Sequence, residues 1–135
     1  MGTARFLIAD DTVGKQFYLR ALLKKSKFAA DVVTAASTSE SEKVIEKTPN
    51  IVAAFVDYRM PEAGGIPVID LLRKRNPSAR IALITASTGD ALEREARAAG
   101  ADAAISTAYP EKYVTEEILK LLEEWKNGKE LGIKN

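Results

Sequence analysis

The sequence has no cysteine and no histidine among its 135 residues. Without cysteine there is no disulfide, no thiolate nucleophile and no Cys-type zinc or iron–sulfur site. Without histidine the commonest general base and metal ligand are gone, and so is any phosphohistidine chemistry on this chain. An excess of either charge is lacking too. Twenty basic residues stand against nineteen acidic ones, a formal net charge of +1. Nothing in that balance favours wrapping nucleic acid or lying on an anionic membrane. The longest apolar run, Ile51 to Val56, is far too short to span a bilayer. Met1-Gly2-Thr3-Ala4-Arg5 leads straight into an apolar segment with no signal-peptide core, so a cytoplasmic location is expected. No phosphate loop of the G-x-x-x-x-G-K-[ST] kind supports nucleotide hydrolysis. The chemistry that remains must use carboxylates, hydroxyls, Lys, Arg or a hard cation.

Short apolar runs alternate along the chain with amphipathic helical patterns. The runs are Phe6–Ala9, Val32–Ala35, Ile51–Val56, Ile81–Ile84 and Ala103–Ile105. They lack the in/out alternation of a half-wet sheet, and continuous apolarity marks strands buried on both faces of a parallel sheet. Between the first two, Val13, Phe17, Ala21 and Lys24-Lys25 follow helical spacing, with Leu19, Leu22 and Leu23 widening the apolar face. Ser37-Thr38-Ser39-Glu40 reads as a capping box opening a helix that buries Val44 and Ile45. Val68, Ile69, Leu71 and Leu72 mark a third helix ending before Asn76-Pro77. Leu92, Ala96 and Ala99 mark a fourth with Gly100 as its C-cap. Val114, Ile118, Leu121, Leu122 and Trp125 mark a fifth, with Trp125 on its inner face. Five strands alternating with five helices give an α/β fold. The expected form is one five-stranded parallel sheet, flavodoxin-like in its order 2-1-3-4-5, with helices on both faces.

Ligands of such sheets bind beyond the carboxyl ends of the strands. Here those ends carry Asp10-Asp11, Asp57, Thr85-Ala86 and Ser106-Thr107. A single Asp after a strand is ordinarily a turn or cap residue. A doublet plus a third Asp gathered at one rim repel one another unless a cation is shared among them. An all-oxygen site suits a hard divalent ion such as Mg²⁺. Asp57 opens the loop Tyr58-Arg59-Met60-Pro61-Glu62-Ala63-Gly64-Gly65, in which Pro61 fixes a turn and Gly65 can take a positive φ, holding the loop close to the acids.

Together, Asp10-Asp11, Val56-Asp57-Tyr58-Arg59-Met60-Pro61, Leu83-Ile84-Thr85-Ala86 and the Gly100-Ala101-Asp102 turn resemble a response-regulator receiver domain of two-component systems, over about residues 5 to 126. The resemblance implies a receiver domain over residues 1–126 followed by a flexible tail, 127–135. It implies that Asp57 accepts a phosphoryl group from a histidine kinase or phosphotransfer protein. Mg²⁺ would be held by Asp11, Asp57 and the backbone carbonyl of Arg59, with Asp10 on a metal-bound water and Thr85 donating its hydroxyl to a phosphoryl oxygen. The domain would not itself be an enzyme. It would act as a monomer or weak dimer on a downstream effector protein or domain, with no direct contact to nucleic acid or membrane.

The chain departs from the family pattern at four positions. Counting from Gly100, the usual Lys is Thr107 and the Pro after it is Ala108; the usual aromatic switch residue is Ala104, and Gly64 stands where an Asp often precedes Gly65. With Ala108 in place, the 107–108 peptide is expected to be trans. Arg59 and Lys112 are the candidates to replace the missing cation, Arg59 through its fork of donors. Two readings stay open: a phosphorylated signalling receiver, or a receiver-shaped interaction module with weak or no phosphorylation. A phosphatase of the haloacid dehalogenase type also uses a strand-end Asp, but its second Asp, the general acid, would fall on Arg59, which cannot exchange protons near neutral pH.

Overall fold

The computed structural model describes residues 3–128. Its strands are β1 (Arg5–Ala9), β2 (Asp31–Ala35), β3 (Ile51–Val56), β4 (Arg80–Thr85) and β5 (Ala103–Ser106). Alternating with them are α1 (Val13–Ser26), α2 (Thr38–Lys47), α3 (Ile66–Arg75), α4 (Asp90–Ala99) and α5 (Glu111–Lys126). All strand pairs are parallel and the order is β2-β1-β3-β4-β5, the flavodoxin-like arrangement expected from the pattern of runs.

Successive side chains point to opposite faces of the sheet, so continuous apolar runs feed two cores. Phe6, Ile8, Phe55 and Ile84 pack under Leu19 and Leu22 of α1 and Ile118 and Leu122 of α5. Leu7, Val56 and Leu83 pack under Ile45 of α2, Val68 and Ile69 of α3, and Ala96 of α4. Trp125 is a core residue, with its ring centroid 6.0 Å from that of Phe55.

The local signals act as their chemistry dictates. Ser37 Oγ accepts the Glu40 N–H at 3.1 Å. Glu40 reaches back one residue further than a standard capping box, to the Ala36 N–H. Gly100 closes α4 at φ 123°, where its N–H meets the carbonyls of Ala96 and Arg97. In α1 the expected face is corrected. Val13, Phe17 and Ala21 face solvent, and the buried stripe runs through Leu19, Leu22 and Leu23. Three leucines bury more apolar surface than the rival row of Val, Phe and Ala, and the helix rotates to suit them. Likewise Val44 is only half-buried, while Ile45 is in the core.

No helix among the described residues is long and apolar enough to cross a membrane. Of the tail expected at 127–135, Asn127 and Gly128 form a turn on the end of α5, and residues 129–135 lie outside the described part.

Candidate functional site

The sheet itself gathers the acids. Ala9 of β1 is in register with Val56 of β3, so the next residue on each strand, Asp10 and Asp57, ends at the same level. The ladder continues one step past the strands: Asp57 N–H donates to Ala9 O and Asp10 N–H to Ala35 O, each at 2.9 Å. Asp10, Asp11 and Asp57 each offer a carboxylate oxygen, and these oxygens lie within 4.8 Å of one another. Asp10 is buried, Asp57 half-buried and Asp11 exposed. Asp10 Oδ1 accepts the Thr12 N–H at 2.8 Å, whereas its buried Oδ2 receives no hydrogen bond. Burial pushes the Asp10 pKa above 3.8; the Thr12 amide and Lys15 pull it down, and the Asp57 charge adds to the rise.

The cation in this pocket is one the sequence analysis missed. Lys15, in the first turn of α1, places Nζ 3.1 Å from Asp10 Oδ2 and 3.5 Å from Asp57 Oδ1. It also donates to the carbonyl of Ile84 at 2.6 Å. The contact with Asp10 is a close ion pair between two largely buried side chains. Arg59 and Lys112 do not take this place. The Arg59 Nε donates to Ser87 Oγ at 3.2 Å on the exposed rim, and Lys112 stands over the Tyr113 ring. A signal for Lys15 existed: it sits four and seven residues before Leu19 and Leu22, on the stripe that turns inward.

The loop after Asp57 is pinned by α2. Thr38 Oγ1 donates to Gly64 O and Pro61 O and accepts the Ala63 N–H, while Glu62 accepts from Ser39 N–H and Oγ–H. The two glycines have roles different from those expected. Gly64 carries the positive φ, 76°, and Gly65 is right-handed at φ −89°. Gly65 is needed for proximity, because a Cβ there would stand 2.0 Å from the Asp57 carbonyl oxygen.

On the other side of the acids, Thr85 is buried and its Oγ1 accepts the Ser87 N–H at 3.2 Å. Thr107 N–H donates to Thr85 O at 2.8 Å, so the two threonines are joined across β4 and β5. The 107–108 peptide is trans, as the absence of a Pro at 108 requires. Thr107 and Lys15 line one cleft of about 230 Å³, together with Tyr18, Tyr109, Glu111 and Val114. Ala104 leaves a second cleft, of about 210 Å³, beside Thr85 and Ser87, with Tyr109 along its edge.

The donors present fit a hard divalent cation: an all-oxygen set of three carboxylates, one of them buried, whose oxygens lie within 4.8 Å of one another. Lys15 lowers the formal charge of the three acids to two negative, which a divalent ion balances.

Comparison with known proteins gives a consistent picture. The model of a family described as "Response regulator receiver domain" matches residues 6–119. The chemotaxis protein CheY of Thermotoga maritima is 30% identical over 117 residues, which cover 87% of this chain and 96% of that protein. A cyclic di-GMP phosphodiesterase of the same organism is also 30% identical, over 85% of this chain, but the match spans only 28% of the phosphodiesterase. Among solved structures, a LuxR-family two-component response regulator from Aurantimonas superposes with a TM-score of 0.77 at 25% identity, covering 96% of this chain and 89% of that one.

Proposed function

The chain belongs to the response regulator receiver domain family, and from that premise we propose that it is a phosphoacceptor switch whose reactive group is the Asp57 carboxylate. The observation that carries this reading is the convergence of Asp10, Asp11 and Asp57 at the ends of adjacent strands. In this reading an Asp57 carboxylate oxygen attacks phosphorus in line, and the bond to the donor breaks as the leaving group departs with its electron pair. Asp11, Asp57 and the Arg59 backbone carbonyl would hold Mg²⁺, with Asp10 oriented on a metal-bound water. When bound, the ion offsets the negative charge spread over the phosphoryl oxygens.

The chain's own residues do the rest. The Thr12 amide holds Asp10 by Oδ1, while Oδ2 meets the Lys15 ammonium. Thr38 and Glu62 fix the loop that follows Asp57 and contains Arg59. Thr85 donates its hydroxyl to a phosphoryl oxygen. The donor is a histidine kinase or phosphotransfer protein, and the phosphorylated face is read by an effector protein or domain. The domain runs over residues 1–126, to the end of α5. The second reading, an interaction module with little phosphorylation, is favoured by Thr107 and Ala104, which take the places of the family's Lys and aromatic. Intact-mass spectrometry after incubation with acetyl phosphate and Mg²⁺ separates the two. Wild type should gain one phosphoryl mass and Asp57→Asn none; wild type that gains none supports the interaction module.

A further inference from the structure

Lys15 is badly placed for stability. It lies in the first turn of α1, where the helix dipole disfavours a cation, and no acid in that turn offsets it. Its side chain is only 16% exposed, and burying a charged side chain costs unless it is paired. What it has gained is the mouth of the acid pocket: two carboxylates and the Ile84 carbonyl from three separate strands surround Nζ. The Ile84 carbonyl is the neutral partner among these and the shortest contact, at 2.6 Å. A Lys that meets the Asp57 oxygen before reaction stands where negative charge arrives during it.

We propose that Lys15 is a catalytic residue of this receiver, supplying from α1 the cationic contact to the phosphoryl group of phospho-Asp57 that Thr107 cannot supply from β5. The inference rests on the phosphoacceptor reading of Asp57. In the transfer from acetyl phosphate, an Asp57 oxygen bonds to phosphorus while the phosphorus–oxygen bond to acetate breaks and acetate leaves with the pair. Lys15 stays protonated throughout, moving its contact from the carboxylate to a phosphoryl oxygen. The step needs no proton from it. Before reaction the same ammonium stands against any cation that binds Asp10 and Asp57, so Lys15 has opposite effects on a bare divalent ion and on a phosphoryl group.

That opposition is the test. Lys15→Gln should tighten Mg²⁺ binding, measured by titration calorimetry, because a positive charge beside Asp57 and Asp10 is removed. The same variant should weaken beryllofluoride binding in Mg²⁺, and should slow phosphorylation by acetyl phosphate about 10²–10³-fold, the usual loss of a preorganised donor. Lys15→Arg, which keeps the charge, should retain part of the rate. Melting curves establish that both variants fold. A merely structural Lys15 would move both affinities the same way. Wild type that takes phosphate and beryllofluoride while Lys15→Gln matches it in rate and affinity overturns the role of Lys15 alone. Wild type that takes neither overturns the phosphoacceptor reading, and the role of Lys15 with it.

Discussion

The Lys15 ammonium lies 3.5 Å from Oδ1 of Asp57, joining the first turn of α1 to the end of β3. Thr107 lines the same cleft as Lys15, so a longer side chain at 107 has room to carry a cation toward the position that Lys15 occupies. Thr107→Lys should therefore recover most of the about 10²–10³-fold loss expected for Lys15→Gln while adding little to wild type, which already has its cation. Time courses of acetyl phosphate labelling for the two single variants and the double variant check this. A double variant as slow as Lys15→Gln would show that the two positions do not serve one function.

Metal binding should appear as stability. An ion that binds only the native state at about a hundred times its Kd adds about 2.7 kcal/mol, which for a domain of this size raises Tm by roughly 10 °C. Asp11→Asn removes an exposed ligand and should cut that gain without lowering the metal-free Tm. Calorimetry with and without Mg²⁺ measures both; an unchanged wild-type Tm in saturating Mg²⁺ would contradict an intact metal pocket.

The Asp10 environment sets a pH dependence. Burial raises its pKa in the folded chain above the ordinary 3.8, against the pull of the Thr12 amide and Lys15 and with the push of Asp57. Between the unfolded and folded values the native state then binds more protons than the unfolded state, so this residue's contribution to stability falls as pH rises through that window. In EDTA, the Tm of Asp10→Asn minus that of wild type should grow more positive from about pH 4 upward. A constant or shrinking difference would show that burial is not the controlling influence on Asp10.

Two glycines should respond in opposite directions to alanine. At Gly65 a Cβ meets the Asp57 carbonyl oxygen at 2.0 Å, so Gly65→Ala must move the loop or the end of β3. A loss of about 1–3 kcal/mol is expected, together with slower phosphorylation. At Gly14, in α1, a Cβ has nothing within 4 Å, and Gly14→Ala should gain up to about 1 kcal/mol from helix propensity. Urea titrations give both values.

The architecture was legible because apolar runs such as Ile51–Val56 and Ile81–Ile84 are continuous, and only a doubly covered parallel sheet buries such runs on both faces. Strand register then brought Asp10 and Asp57 together, as their places after Ala9 and Val56 implied. The signal for Lys15, its spacing before Leu19 and Leu22, could be read only with the rotation of α1 known, and that depends on which of two apolar rows wins. Val13, Phe17 and Ala21 share the regular four-residue spacing, yet Leu19, Leu22 and Leu23 are the ones buried. The positive φ fell on Gly64 rather than Gly65 for a related reason. Composition says that Gly64-Gly65 permits an unusual backbone, but the close approach of Gly65 to Asp57 is a tertiary contact that no local pattern encodes. Arg59 looked suited to phosphate by chemistry and is held by Ser87 instead.

The central claim is that Asp57 itself carries the phosphoryl group. Borohydride reduces an acyl phosphate at its carbonyl carbon, converting a phosphorylated Asp to homoserine. Peptide mass spectrometry of protein treated with acetyl phosphate and Mg²⁺ and then with borohydride therefore reads the site directly. The account predicts homoserine at position 57, with Asp10 and Asp11 unchanged. Homoserine at 10 or 11, or no homoserine in a fully digested sample, would contradict it.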